Sequence, residues 1–304
     1  MVSTFGAIPK CDTHFAMRKK TIAQIIPSEK INMGGHLLEQ PLPNAFLQQL
    51  DPFLLIHHAE WTFKGNQRQQ EVGIGGHPHR GFSPVTFVFK GEVRHQDSFG
   101  HDAVVGAGGT QWMHAGKGIV HSERPSKELA ENGGEQEIIQ FWVNTPAKYK
   151  MERPYYLPLS KEETPSIKGQ GYQLQVVAGT YQGHTGPAKT FSPMVLLRGK
   201  IEGGHDLEIN LPVAYNSLLY LLDGQLEVNG RSAKRKDLIW FANDGEVVRL
   251  KAAEDTRFIV LSGEPIGEKV KSYGPFVMNT QTEIMEAIRD SQMGKMGVLI
   301  ESFD

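Results

Sequence analysis

Short runs of apolar and β-branched residues alternate along the chain with turns marked by glycine, proline and asparagine. The i, i+3, i+4 spacing of a helix is almost absent. Thr21 to Ile26 reads as a strand, and Asp51 to His58 as a stronger one with its proline at the entrance, where a missing amide hydrogen does least harm. Lys64 to Glu71 is polar and glutamine-rich, a loop. Pro84 to Phe89 and Val93 to Ser98 follow as strands, and Lys90-Gly91-Glu92 between them reads as a hairpin turn. Thr110 to Met113 and Ile138 to Val143 continue the rhythm.

A stretch rich in proline and charge then runs from Thr145 to Gly171, which is linker composition. Beyond it strands resume at Tyr172–Val177, Met194–Leu197, Leu218–Leu222, Gln225–Val228 and Phe258–Leu261, with Asp223-Gly224 and Asn229-Gly230 reading as hairpin corners. Only the end differs. Thr280-Gln281-Thr282-Glu283 is a capping box, and Ile284, Met285, Ile288 and Gln292 follow at helical spacing until Gly294. The pattern predicts an all-β protein of small antiparallel barrels or sandwiches in two domains, residues 1–160 and 161–304, the second ending in one amphipathic helix. The shared grammar of the halves suggests duplication of one barrel. Met1 to about Lys20 has no periodicity and reads as a tail or an arm on a neighbouring surface.

Composition narrows the function classes. The 304 residues suit two cores, and 32 basic against 34 acidic residues give a net charge of −2, which offers no basic field to a nucleic-acid backbone. The single cysteine, Cys11, excludes an internal disulfide framework and any multi-thiolate zinc site. No apolar run has signal-peptide or membrane-span length, so a cytoplasmic protein without membrane contact is expected.

The candidate chemistry lies in the histidines, eight of which fall between residues 57 and 121. Alternate residues of a strand share a face, so His77 and His79 look one way, as do His121 and Glu123 on another strand. Side by side, those strands would gather three imidazoles and a carboxylate, the donor set for a divalent transition metal with open coordination positions. His57 and His58 face opposite ways, so at most one looks inward, and packing is the favoured role. His95 and Asp97 share a face and either support the site by orienting a ligand imidazole or, the favoured reading, face solvent. His114, in a turn, could reach the pocket mouth.

The spacing Gly-x-His-x-His followed by Gly-x-Gly-x-x-His resembles the two motifs of cupins. More narrowly, His77-Pro78-His79-Arg80-Gly81-Phe82, Gly109 to Met113, Ala115 to Glu123 and Gly274 to Thr280 resemble the pirins, over most of the chain from about Asp51 onward. The resemblance implies two jelly-roll cupin barrels in tandem with a short C-terminal helix. It also implies one metal, in the first barrel only, held by His77, His79, His121 and Glu123. The family's usual ion is iron, as Fe(II), while manganese, nickel, copper and zinc suit the same donors. Where many pirins continue with Glu-Thr, this chain has Ser83-Pro84, which leaves Glu123 as the credible acid ligand. The second barrel offers only His184 and His205, neither in an x-separated pair, and no metal is expected there.

By the same resemblance the activity is that of a quercetin 2,3-dioxygenase, opening the central ring of a flavonol-like substrate with O2 and releasing carbon monoxide. Glu123 would be the catalytic base for the substrate's 3-hydroxyl. Phe82, Trp112 and Met113 are candidate walls for the flat rings, against plain core packing. Two other classes stay open: a redox-sensing regulatory protein with protein partners, and a cupin isomerase or hydrolase using the metal as a Lewis acid.

Overall fold

The computed structural model describes residues 17–303, and nearly all of its regular structure is strand. The first half supplies β1 (Ile22–Pro27), β2 (Glu29–Met33), β3 (His36–Leu42), β4 (Phe53–Phe63), β5 (Ile74–His79), β6 (Phe82–Lys90), β7 (Glu92–Asp97), β8 (Asp102–Gly106), β9 (Thr110–His114), β10 (Ile119–Arg124), β11 (Gly134–Asn144) and β12 (Tyr155–Leu159). The second begins with β13 (Ser166–Gly169), β14 (Tyr172–Ala178), β15 (Thr180–Tyr181), β16 (His184–Thr185), β17 (Met194–Ile201), β18 (Asp206–Asn210) and β19 (Asn216–Leu221). It ends with β20 (Gln225–Val228), β21 (Arg231–Lys234), β22 (Asp237–Phe241), β23 (Val247–Ala252), β24 (Thr256–Gly263), β25 (Lys271–Tyr273) and β26 (Phe276–Met278). Two helices interrupt them. α1 (Lys127–Asn132), too short to show a helical period in the sequence, is capped by Ser126; α2 (Gln281–Gln292) starts at the Thr280–Glu283 capping box, as expected.

One wiring is used twice. In the first barrel a seven-stranded sheet, β12-β9-β6-β11-β4-β3-β2, faces a four-stranded one, β5-β10-β7-β8. In the second the sheets run β1-β22-β19-β24-β17-β14-β13 and β18-β23-β20-β21, so β5, β10 and β7 correspond to β18, β23 and β20. This is the two-barrel cupin architecture that the strand rhythm and the motifs predicted.

The ends of the chain exchange barrels. The edge place that β12 takes beside β9 is taken in the second barrel by β1 beside β22, so an N-terminal strand completes the C-terminal barrel. In return, the C-terminal segment lies on the first barrel: Phe276 bridges to Arg80, and the Ser98 hydroxyl donates to the Met296 carbonyl at 2.8 Å. A domain division near residue 160 falls between β12 and β13 and is proposed for the middle of the chain alone. Residues 1–16, with Cys11 and most of the expected tail, lie outside the described residues; Lys19 and Lys20 pair with Val247 of the second barrel.

Two turns differ from their expected form. β6 and β7 are not paired, and neither are β19 and β20, so Gly91 and Asp223-Gly224 are corners where the chain leaves one sheet for the other; of the three expected corners Asn229-Gly230 alone closes a true hairpin, between β20 and β21. Local turn chemistry is the same for both outcomes, and the partner strand decides.

The large sheets of the two barrels share an apolar layer, with Phe53, Val85, Phe87, Trp112 and Phe141 from one side and Leu196, Leu218, Tyr220, Leu238 and Ile259 from the other. Arg198 staples it, donating to the carbonyls of Gly108 and Gly109. The barrel interiors are opposites. In the second, β18, β20 and β23 point Leu207, Ile209, Leu226, Val228, Val248 and Leu250 inward as an aliphatic core. In the first, the corresponding strands carry His77, His79, His95, Asp97, His121 and Glu123.

Candidate metal centre

β5 and β10 are antiparallel neighbours in which His77 stands directly opposite His121, with Ile119 opposite His79. Opposed residues share a face, so the three imidazoles meet. Their ligand nitrogens lie within 4.8 Å of one another. A register shift between His121 and Glu123 adds one residue to β5 near Gly75 and Gly76, a bulge that re-aims the strand beside the site.

The hydrogen bonds select the ligand atoms. The Nδ1 of His77 meets the Gly75 carbonyl at 2.8 Å and that of His79 meets the Pro275 carbonyl at 3.4 Å. A carbonyl only accepts, so each Nδ1 carries the proton and each Nε2 keeps its lone pair. His121 uses its Nδ1 on His95, and its own Nε2 is buried with no protein partner. Burial, with His77 close by, holds His79 and His121 well below the ordinary histidine value, so both are neutral at physiological pH, as metal ligation requires. A buried, unsatisfied nitrogen of His121 beside the imidazoles of His77 and His79 fits a divalent transition metal.

Glu123 lies on the same strand as His121, outside that tight cluster. Gln140 Nε2 donates to both of its carboxylate oxygens, at 2.8 and 3.0 Å, and the Thr86 hydroxyl lies 3.4 Å away. A cleft of about 390 Å³ borders His77, His79, Glu123 and Gln140. Its walls are Met33, Gly34 and His36 from the β2–β3 hairpin, with His57, Ile74, Trp142 and Pro275. Such a cleft suits a small organic ligand.

Behind His121 lies a second polar layer, which overturns the reading of His95 and Asp97 as solvent-facing. Both are buried. His95 Nε2 is 2.9 Å from Asp97 Oδ2, which also lies 2.8 Å from Nδ1 of the half-exposed His101, and the Tyr156 ring stacks on His95 at 3.7 Å.

The candidate wall residues fall elsewhere. Phe82 is fully buried, packed against Trp142 at 4.2 Å and His79 at 5.1 Å, so it supports the site without facing the cleft. Trp112 belongs to the layer between the barrels, and Met113 packs with Ala115, Ile119 and Tyr156. His114 is sealed by Tyr155 and Phe191 with Nδ1 on the Ser83 hydroxyl, away from the mouth. The reason is common to Trp112, Met113 and His114: β9 is an inner strand of the large sheet, covered on both faces. The residues that do line the cleft, Gln140, Trp142, His36 and His57, come from strands with no motif. A signal existed for Gln140 and Trp142 in the polar Gln140 of an otherwise apolar run.

His57 and His58 do face opposite ways. His58 meets Tyr220 and Glu137 between the barrels, forming with Glu60 a second group of potential metal donors. There the cation is supplied by the chain: Lys236 Nζ lies 2.7 Å from Glu60 and 2.9 Å from His58 Nδ1. In the second barrel, His184 is exposed on β16 and His205 rests against Gly171.

Comparison with known proteins agrees with this geometry. Residues 35–143 match the Pirin family model, and residues 196–297 match the Pirin C-terminal cupin domain. The chain belongs to the pirin family. Among pirins it is 32% identical to the rat protein named Pirin over 288 residues, 93% of this chain and 95% of that one. It is similar to a crystal structure of quercetin 2,3-dioxygenase from Acinetobacter baumannii, with 37% identity, a TM-score of 0.88, and 93% of this chain and 100% of that one covered. The fold is also that of the bacterial pirin YhhW of Escherichia coli in complex with nickel(II), at 21% identity and a TM-score of 0.64 over 80% of this chain and 99% of that one. No described helix of this pirin is long and apolar enough to cross a membrane.

Proposed function

We propose that this pirin is a metal-dependent dioxygenase of the quercetin 2,3-dioxygenase type, opening a flavonol-like substrate with O2 and releasing carbon monoxide. The observation that carries the reading is the convergence of His77, His79 and His121, each with Nδ1 occupied and Nε2 free, at the edge of a cleft that also holds the Glu123 carboxylate. These four residues would hold one divalent transition ion, Fe(II) by family usage. When bound, the ion supplies open coordination positions and Lewis acidity for a substrate hydroxyl and for O2.

The chain's own residues do the rest. Glu123, aimed by Gln140 and Thr86, accepts the proton of the substrate's 3-hydroxyl at a carboxylate oxygen. Met33, Ile74 and Trp142 give apolar surfaces against which flat rings lie and from which water is excluded. Similarity to the quercetin 2,3-dioxygenase of Acinetobacter baumannii supports the substrate class. A cytoplasmic location fits these substrates, and no nucleic-acid partner is called for.

The test is anaerobic loading with Fe(II), Mn(II), Ni(II) or Cu(II), addition of quercetin and then O2, and simultaneous measurement of oxygen uptake and carbon monoxide. Stoichiometric carbon monoxide from the loaded protein, lost in His77→Ala, supports the reading. Metal bound one to one with no turnover of any flavonol rejects the dioxygenase and leaves a metal-binding regulatory protein or a cupin isomerase or hydrolase that uses the metal as a Lewis acid.

A further inference from the structure

The hydrogen bonds behind His121 have a fixed polarity that can be read link by link. Asp97 is buried in the barrel wall, with Oδ1 accepting from the backbone amides of Phe99 at 2.9 Å and His101 at 3.2 Å. Its Oδ2 receives His95 Nε2 at 2.9 Å and His101 Nδ1 at 2.8 Å. An ionised carboxylate only accepts, so His95 carries its proton on Nε2. His95 turns its other nitrogen, Nδ1, toward His121 Nδ1, 3.3 Å away; for His121 to ligate through Nε2 its own proton must sit on Nδ1, so His121 donates that bond and His95 accepts it. A proton on Nδ1 of His121 leaves the lone pair on Nε2, the unpartnered atom that faces His77 and His79. Tyr156, stacked on His95 with the rings 4° from parallel, and the paired strands β7 and β10, which set His121 opposite Asp97 and Glu123 opposite His95, keep the sequence of donors and acceptors in place.

We infer that Asp97 is a positioning residue for the metal centre: acting through His95, it fixes the tautomer and ring orientation of His121 and raises the donor strength of that ligand. The inference rests on the proposed metal site but not on any substrate. Burial acts to raise the Asp97 carboxyl, but the hydrogen bonds from His95, the Phe99 amide and His101 act against it and the group is held below its ordinary value, consistent with a permanent acceptor. The second barrel has aliphatic residues on its corresponding strand β20, where no ligand needs orienting.

The test uses Asp97→Asn in the full chain. Asparagine can keep a carbonyl oxygen on the two backbone amides, but its NH2 then replaces Oδ2 and faces two ring N–H groups. His95 must take the other tautomer, which sets a donor against the His121 donor. Binding of Co(II) is measured by chelator competition, and the ligand-field spectrum of the Co(II) protein is recorded. Second-sphere losses of this kind weaken metal binding about 10- to 100-fold, and that fall, with a shifted spectrum, is expected here. His95→Gln, which keeps an acceptor for His121 but severs it from Asp97, serves if Asp97→Asn does not fold, and is expected to lower affinity and shift the spectrum as well. In the His95→Gln background, Asp97→Asn should cost nothing further. Wild-type affinity and spectrum in either single variant, or losses that multiply in the double variant, overturn the inference. Co(II) binding unchanged by His77→Ala overturns the metal site itself, a different result with a different signature.

Discussion

Arg80 and Asp290, 210 residues apart in the chain, meet at 3.1 Å and tie the helix α2 to the residue next to the candidate ligand His79. The Arg80 side chain is 5% exposed and also donates from Nε to the Lys117 carbonyl at 2.7 Å, so it joins both halves of the candidate ligand motif to the C-terminal segment. Lys295, at 2.9 Å, completes the charge around Asp290 and, with Arg80, holds that carboxyl below its usual range. Replacing Arg80 with methionine removes two charge-assisted hydrogen bonds at a nearly dry site, and a loss of about 2–3 kcal/mol is expected. Denaturant midpoints for Arg80→Met check it. Asp290→Asn should cost less, because its carboxylate is the more exposed partner and keeps an acceptor.

A protein that binds a ligand only when folded is stabilised by that ligand through mass action. With free metal at 100 times its dissociation constant, the gain is about 2.7 kcal/mol. Thermal unfolding of chelator-treated protein should therefore shift upward by several degrees when Ni(II) or Fe(II) is returned, and fall again with excess chelator. His121→Ala should show no metal-dependent shift whatever its own stability. An equal shift in that variant would place the ion elsewhere.

Gly81 follows the His77-Pro78-His79-Arg80 segment with φ +86°, and a Cβ there would lie 2.0 Å from the Val277 carbonyl oxygen. The same corner is held by buried Lys150, whose ammonium donates to the carbonyls of Gly81 at 2.5 Å and Val277 at 3.0 Å and to the Asn144 side chain at 2.7 Å. Alanine is strained there both by its backbone region and by the collision, for a combined cost of about 2–4 kcal/mol. Gly81→Ala should lower the denaturant midpoint accordingly and weaken metal binding, since the corner that sets His79 must open.

The candidate ligand pairs were legible as pairs because a strand's period of two is a local property: His77-x-His79 and His121-x-Glu123 announce a shared face without reference to the rest of the chain, and His77, His79 and His121 do cluster while Glu123 lies outside that group. Strand rhythm and the Thr280 capping box likewise gave the architecture and the last helix. What sequence reasoning missed depends on distant partners. Gly91 and Gly224 look like hairpin glycines, yet the strands they join lie in different sheets. β1 completes a barrel whose remaining strands lie far along the chain, against β22. His95 and Asp97 read as solvent-facing because nothing local reveals that Tyr156 lies over His95. Trp112, Met113 and His114 sit close in sequence to His121, but β9 belongs to the opposite sheet of the barrel.

Gln140 presents one NH2 group to both oxygens of Glu123 and lies 3.2 Å from the Thr86 hydroxyl. If Glu123 is the base, its direction matters more than its presence. Gln140→Leu removes the charge-assisted contact, worth about 1.5–3 kcal/mol, while Thr86 retains a weaker one. The expected outcome is a fall in kcat of about tenfold or more with KM little changed, since each 1.36 kcal/mol in the barrier is a factor of ten. Steady-state oxygen uptake with quercetin measures both. A raised KM at constant kcat would show instead that Gln140 serves substrate binding.

His114 is wholly buried between Tyr155 and Phe191, and burial lowers it from the ordinary 6.5 to about 4. Between those two values the unfolded chain binds a proton that the folded protein does not, so stability rises with pH across that window and is lost as pH falls from about 6.5 to about 4. The slope from this one group is about 1.4 kcal/mol per pH unit. Below pH 4 both states hold the proton and its contribution levels off. His57, also lowered to about 4 by burial, adds a parallel slope. Phenylalanine at position 114 keeps the aromatic contacts and removes the titration. In chelator-treated protein, denaturant midpoints from pH 7 to pH 4 should therefore decline less steeply in His114→Phe than in the wild type, by one proton's worth of slope, even if the variant is less stable at pH 7 through loss of the Ser83 hydrogen bond. Parallel pH profiles for the two proteins would mean that His114 protonates equally in the folded and unfolded states, which a ring sealed from water does not allow.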